Sequence, residues 1–207
     1  MKQKFDTTKF YYGFPIYILG YKDEKFGYDI TTSSSSYSLG EMLVMGMFKG
    51  SNAVKQIQRY QSFTLNIPTE EQAFLMERAG FLTRRDKLSL LNVNYRIAET
   101  IDAPLLDDCP VSLECVVEAV QEFDNYVNFT ARIVNRWVDA SLLDEKRHFK
   151  SEVFHPLEYM GGGKARIYRY LDEGKSEKLG QYSKKGRKHH DKNPRKNRKQ
   201  YLTRYRN

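Results

Sequence analysis

Along this chain the apolar positions fall in short runs with alternating spacing far more often than at helical spacing, so strands are the dominant expectation. Residues 14–21 (FPIYILGY) read as a first strand, 22–25 (KDEK) as a charged turn, and 26–30 as its hairpin partner. Residues 42–48 (MLVMGMF) are apolar almost throughout, the pattern of a strand covered on both faces, and 63–67 (FTLNI) is a shorter strand ended by Pro68. Further on, Val111, Leu113, Cys115, Val117 and Ala119 share one face of a strand over 111–122. Val127, Phe129, Ala131 and Ile133 do the same over 126–135, and Asp124-Asn125 suits the tight turn between them. Helical spacing is confined to two stretches. Residues 53–60 place Val54, Ile57 and Tyr60 on one face and Lys55, Gln56 and Arg59 on the other, with Ser51 or Asn52 as N-cap. Thr69-Glu70-Glu71-Gln72 has the form of a capping box, predicting a helix over 70–78 that stops at Gly80. Many strands, few helices and no βαβ rhythm predict a mostly β fold, a closed or nearly closed barrel with helices as covers.

One segment interrupts this pattern with chemistry. Thr31 to Ser38 (TTSSSSYS) is an unbroken run of hydroxyl side chains, and the apolar strand after it ends at Lys49-Gly50-Ser51-Asn52. Hydroxyls, the unpaired N–H groups of a helix start and one lysine are the parts of a phosphate cradle. The plainer alternative is a solvated loop followed by an ordinary capped turn.

Charge changes the picture of the other end. The net charge of +8 is not spread evenly: 11 of the 34 lysines and arginines, against one aspartate, lie in residues 184–207. The rest is close to neutral, which divides the chain into a folded domain over 1–183 and a basic tail over 184–207. In that tail His189, His190, Tyr201 and Tyr205 are interleaved with cations, so it suits either a nucleic-acid-binding arm or a solubilising extension. Cys109 and Cys115, with five residues between them, fit neither a zinc site nor a redox pair and are expected as free thiols. With no convincing export signal and no apolar run of membrane-spanning length, the expectation is a cytoplasmic protein. No G-x-G-x-x-G follows a strand, and Gly161-Gly162-Gly163 reads as a flexible turn.

Six segments in order carry a resemblance: PIYILGY, DITTSSSSYS, MGMFKGSNA, FTLNIP, APLLDDCPVSLECVVEAV and FHPLEYMGGGKARIYRYLDEG. Over roughly residues 10–182 the chain resembles the flavin reductase-like, FMN-binding split-barrel family, most closely its flavoredoxin branch. The resemblance implies a split β-barrel with FMN bound between the hydroxyl run and the helix start. By position, Thr31, Thr32, Ser33, Ser34 and Ser36 would line the ribityl chain and flavin edge, and Lys49, Ser51 and Asn52 would meet the 5′-phosphate. Two departures touch the flavin edge: Asp29 stands where the family often has Asn, and Leu39-Gly40-Glu41 where a Pro-Pro pair is common.

The resemblance also implies an NAD(P)H-dependent flavin oxidoreductase, a homodimer, and NADH or NADPH as transient electron donor. Hydride transfer to flavin asks little of protein side chains, which mainly stack rings and stabilise charge. His155 in FHPLEY is the one histidine placed in a motif and is the candidate catalytic residue. Tyr159, Tyr168 and Tyr170 are candidates to cover the ring, although aromatic residues at that spacing more often pack a core. Two other classes stay open: an FMN electron carrier passing electrons to an acceptor protein, and a nucleic-acid binder acting through the tail.

Overall fold

The computed structural model describes residues 1–171, 176–177 and 179–182. The strands are β1 (Phe10–Pro15), β2 (Tyr17–Asp23), β3 (Gly27–Ser33), β4 (Ser36–Leu39), β5 (Met42–Phe48), β6 (Ser62–Ile67), β7 (Tyr95–Ile97), β8 (Pro104–Leu106), β9 (Val111–Glu122), β10 (Tyr126–Val138), β11 (Glu158–Gly162) and β12 (Ala165–Arg169). Helices α1 (Asn52–Tyr60), α2 (Ala73–Phe81) and α3 (Lys87–Leu90) pack among them. These elements belong to one compact unit that begins at Met1 and ends at Asp172.

Seven strands form one antiparallel sheet in the order β3-β2-β6-β9-β10-β5-β4. Its two edges, β3 and β4, follow one another in the chain with only Ser34 and Ser35 between them. The sheet therefore curls back on itself and stays open along one seam, and the hydroxyl run lies on that seam. The run was expected as a loop; instead Thr31–Ser33 end β3 and Ser36–Ser38 begin β4.

β2 shows why its sequence looks apolar throughout. Tyr17, Leu19 and Tyr21 point into the barrel core with Met45, Phe63 and Phe129, whereas Ile18 joins Ile30, Met76, Leu88 and Leu157 in a second core. α2 and α3 cover that second core. β5 differs from the expectation of two covered faces: Leu43, Met45 and Met47 are buried, but the residues between them are partly open.

The run FPIYILGY is not one strand. β1 ends at Pro15, which is still in register with Glu158 at the end of the strand, and the chain crosses at Ile16 into the large sheet. β1, β11 and β12 form a separate three-stranded sheet in the order β1-β11-β12. Its two links to the barrel lie side by side, because the Ile16 amide donates to the Leu157 carbonyl at 3.2 Å and both residues are buried.

α1 is capped as expected. The Ser51 side chain accepts from the Val54 amide at 3.2 Å, and Val54 and Ile57 are buried. Gln56 is buried as well, on the face expected to be polar and open. Gln72 closes its half of the capping box, accepting from the Thr69 amide at 3.0 Å. A 3-10 turn over Glu70–Gln72 comes first, and α2 then runs through Gly80 to Phe81. Gly80 does not stop this helix; it lies within the helix against β3, where an added Cβ would stand 3.3 Å from the Cβ of Thr32.

Polar groups pin the covers down. Asp29, from β3, accepts from the Tyr21 hydroxyl at 2.9 Å and pairs with Lys87 of α3 at 3.3 Å, all three buried. The cysteines are free and buried, and among the described residues no cluster of three metal-ligating side chains is formed. No described helix is long and apolar enough to cross a membrane.

Candidate functional site

A cleft of about 860 Å³ opens along the seam. On its barrel side lie Thr31, Thr32 and Ser33 of β3, the linking Ser34 and Ser35, and Gly46, Met47 and Phe48 of β5. Tyr126 and Asn128 of β10 continue this wall, in register with Phe48 and Gly46 respectively. The Ser35 carbonyl accepts from the Gly46 amide at 2.8 Å, fixing the linker against β5. A side chain at Gly46 would stand 3.2 Å from Asn128 Oδ1, so glycine keeps this wall low. Met76, Glu77, Gly80 and Phe81 of α2 form one end of the cleft.

The hydroxyls are held individually. Thr32 donates to the Met76 carbonyl of α2, while Ser33 Oγ accepts from the buried Tyr17 hydroxyl at 3.4 Å. Burial pushes the Tyr17 phenol up to about 12, with hydrogen bonds to Ser33 and Ser36 pulling the other way, so it remains a neutral donor beneath the hydroxyl run. Edge strands also keep one row of backbone N–H and C=O groups outside the ladder. The seam thus presents side-chain hydroxyls and unpaired main chain together.

Of the residues expected at the site, Thr31, Thr32, Ser33, Ser34 and Ser51 line the cleft. Ser36 lies behind them, against Tyr17. Lys49 is ion-paired with Glu122, both side chains half exposed, and does not line the cleft. Asn52 donates to the buried Asp23 at 2.7 Å and accepts from Gln56 at 3.4 Å, which ties it to the β2–β3 turn. His155 is half-buried on the segment leading to β11, outside the cleft lining. Tyr159 and Tyr168 line the cleft; Tyr170 does not and is exposed.

The opposite wall is the three-stranded sheet, with Lys9, Tyr11, Phe14, Tyr159, Arg166 and Tyr168 facing the hydroxyls. Only the two tyrosines of this group were foreseen from the sequence. β1 and β11 are about 150 residues apart in the chain, and only their register brings these side chains together. The glycines there are strand residues: Gly161 and Gly162 lie in β11, and the positive φ of Gly161 brings its Cα so close to the Ala165 carbonyl that a Cβ would stand 2.2 Å from it.

This arrangement is a hydroxyl-rich seam facing an aromatic wall across a space large enough for a flat heterocycle with a polar chain. Comparison with known proteins gives it a context. Flavoredoxin of Desulfovibrio vulgaris (Miyazaki F) shares the fold with a TM-score of 0.78 at 19% identity, covering 88% of this chain and all of that one. Flavoredoxin from Methanosarcina acetivorans gives 0.76 at 20% identity, with 88% and 99% covered. The FMN-binding protein from Thermus thermophilus, solved with 1-cyclohex-2-enone, gives 0.69 at 18% identity, with 86% and 98% covered. These likenesses establish the split-barrel fold. The sequence profile of the flavin reductase like domain matches residues 11–167, from the first strand into the last. The whole strand-built region is thereby accounted for, and the chain belongs to the flavin reductase like domain family.

Proposed function

We propose that the cleft binds FMN and that the protein is a flavin reductase taking a hydride from NADH or NADPH. The observation that carries this reading is the cluster of Thr31 to Ser35 and Ser51 along an open seam, facing a tyrosine wall. The donor set fits the cofactor. Neutral hydroxyls suit a ribityl chain, and Ser51 sits at the start of α1, where the first amides lack helical acceptors and the helix dipole favours a phosphate. Lys49, two residues before Ser51, would strengthen that end as a nearby positive charge by exchanging Glu122 for phosphate.

Bound flavin supplies a hydride acceptor; the chain's own residues bind, orient and shield. Gly46 would let the ring approach β5, and Phe48, Tyr126 and Phe81 at the rim would shield its edges from water. The chemistry requires no protein acid, and His155 is given none of it here. The same cleft would serve an electron carrier, which differs only in its donor.

The full chain, purified or supplied with FMN, should show flavin absorbance in the blue and near ultraviolet and oxidise NADH or NADPH at a steady rate. The Ser34→Ala/Ser51→Ala variant should bind FMN about tenfold more weakly, one modest hydrogen bond being lost at each position. Bound flavin reduced by neither dinucleotide would favour the carrier, and no affinity for FMN would end the proposal.

A further inference from the structure

The start of α1 is held from two sides. Before the helix, the Lys49 amide donates to the Asn125 carbonyl of the β9–β10 turn at 3.0 Å, and the Ser51 amide to the Phe48 carbonyl at 3.1 Å. After the cap, the hold passes to Asn52, the first residue of the helix, which reaches Asp23 at the end of β2. Asp23 is buried, and among the described residues no cation is ion-paired with it. Hydrogen bonds alone satisfy this carboxylate. One oxygen accepts from the Lys25 and Phe26 amides at 2.8 and 2.9 Å, and the other accepts from Asn52 Nδ2 at 2.7 Å. Bonds to a buried carboxylate are strong and directional, so Asp23 is a rigid anchor for whatever donates to it.

Asn52 is itself oriented from behind. Gln56, buried one turn on, accepts from the Glu24 amide at 3.3 Å and donates to Asn52 Oδ1 at 3.4 Å, which directs the Asn52 nitrogen toward Asp23. Asn52 also faces Tyr21. Burial pushes the Tyr21 phenol up, the Asp29 and Asp23 carboxylates add to this, and the Asn52 side chain pulls the other way. Tyr21 in turn donates to Asp29, its register partner on β3, and Thr31 follows Asp29 by two residues on that strand. Ser51 and Thr31, one on each side of this junction, line the cleft; Asn52 does not.

We propose that Asn52 is a positioning residue for the cleft: acting through Asp23, it fixes the first turn of α1, and with it Ser51, against the hairpin whose second strand carries Thr31, Thr32 and Ser33. The two parts of the cleft that supply hydroxyls are thereby held in one spatial relation by a contact that no ligand touches. The proposal deepens the flavin reading and rests on it for the cleft's occupant.

Titrations of FMN and of riboflavin into the full chain, followed by flavin fluorescence, decide it with Asn52→Ala, Asp23→Asn and the double variant. Asp23→Asn keeps an acceptor for the Lys25 and Phe26 amides but turns a donor toward Asn52, so it breaks the contact without altering α1. Each single variant should bind FMN about fivefold more weakly, most of one hydrogen bond's contribution, and the double variant should be no more than about twofold worse than either. Riboflavin affinity should stay within about twofold, because the displaced helix start faces the phosphate and not the ring. Glu114→Gln, which alters a buried carboxylate outside the cleft lining, is the stability control and should leave both affinities unchanged. Equal loss of FMN and riboflavin binding would show a merely structural role, and full FMN affinity in Asp23→Asn would make Asn52 a direct ligand; either result overturns the proposal. A parent chain with no affinity for FMN fails the flavin reading instead, and hydrogen exchange then decides the positioning. Both single variants should speed exchange of the Val54 and Lys55 amides while the β9–β10 hairpin keeps its protection, and unchanged protection at the start of α1 overturns it.

Discussion

At the scale of single residues, the fold relies on buried carboxylates satisfied by many donors. Glu114 is fully buried and accepts from the Trp137 indole at 2.6 Å, the Thr100 amide at 2.8 Å and the Glu99 amide at 3.2 Å, as well as from the Thr100 hydroxyl. Burial alone would push its carboxyl up, but the donors from Thr100, Trp137 and Glu99 outweigh it and hold it below the ordinary 4.5. Because the folded value is depressed, the stabilisation is in place above about pH 4.5 and is lost as the pH falls below it. Glu114→Gln should cost about 1–3 kcal/mol at neutral pH. The gap to the parent protein should narrow at more acid pH, in urea unfolding followed by the fluorescence of Trp137, the chain's only tryptophan.

At the scale of elements, α3 shows how a short piece is kept in place. Four residues cannot sustain a helix alone, and this one is anchored by Lys87 reaching Asp29 beneath β3. Burial raises the Asp29 carboxyl and lowers the Lys87 amine, each opposed by the attraction of the other, so the pair stands or falls together. Lys87→Met should destabilise by about 3–5 kcal/mol, since it leaves a buried carboxylate without its cation, and adding Asp29→Asn should recover much of that in chemical denaturation. The same scale explains what could be read in advance. β5, β6, α1 and the β9–β10 hairpin were legible because alternation, capping and tight turns are local signals. β1 was merged with β2 because a proline between two apolar stretches does not reveal that they belong to different sheets. The hydroxyls of the seam stood out by composition, whereas Tyr11, Asn128 and Arg166 depend on long-range register that no local pattern carries.

At the scale of the whole molecule, the strand-built region ends at Arg169, before the concentration of positive charge begins. The basic segment over 184–207 lies outside the described residues. Large apolar side chains remain exposed at the cleft rim, among them Phe48, Tyr126 and Phe81, and a second copy of the chain is the proposed cover. A chain truncated after residue 183 should therefore keep the flavin absorbance of the full protein and sediment at twice its own mass. A monomer would overturn the homodimer that the family resemblance implies. The crossing of Ile16 beside Leu157 has a broader consequence. Since entry to and exit from the smaller sheet meet at one point, that sheet is a hinged insert: its three strands pair with one another while Tyr159 and Tyr168 tie it back to the second core, so substitutions on its exposed positions leave the seven-stranded ladder intact.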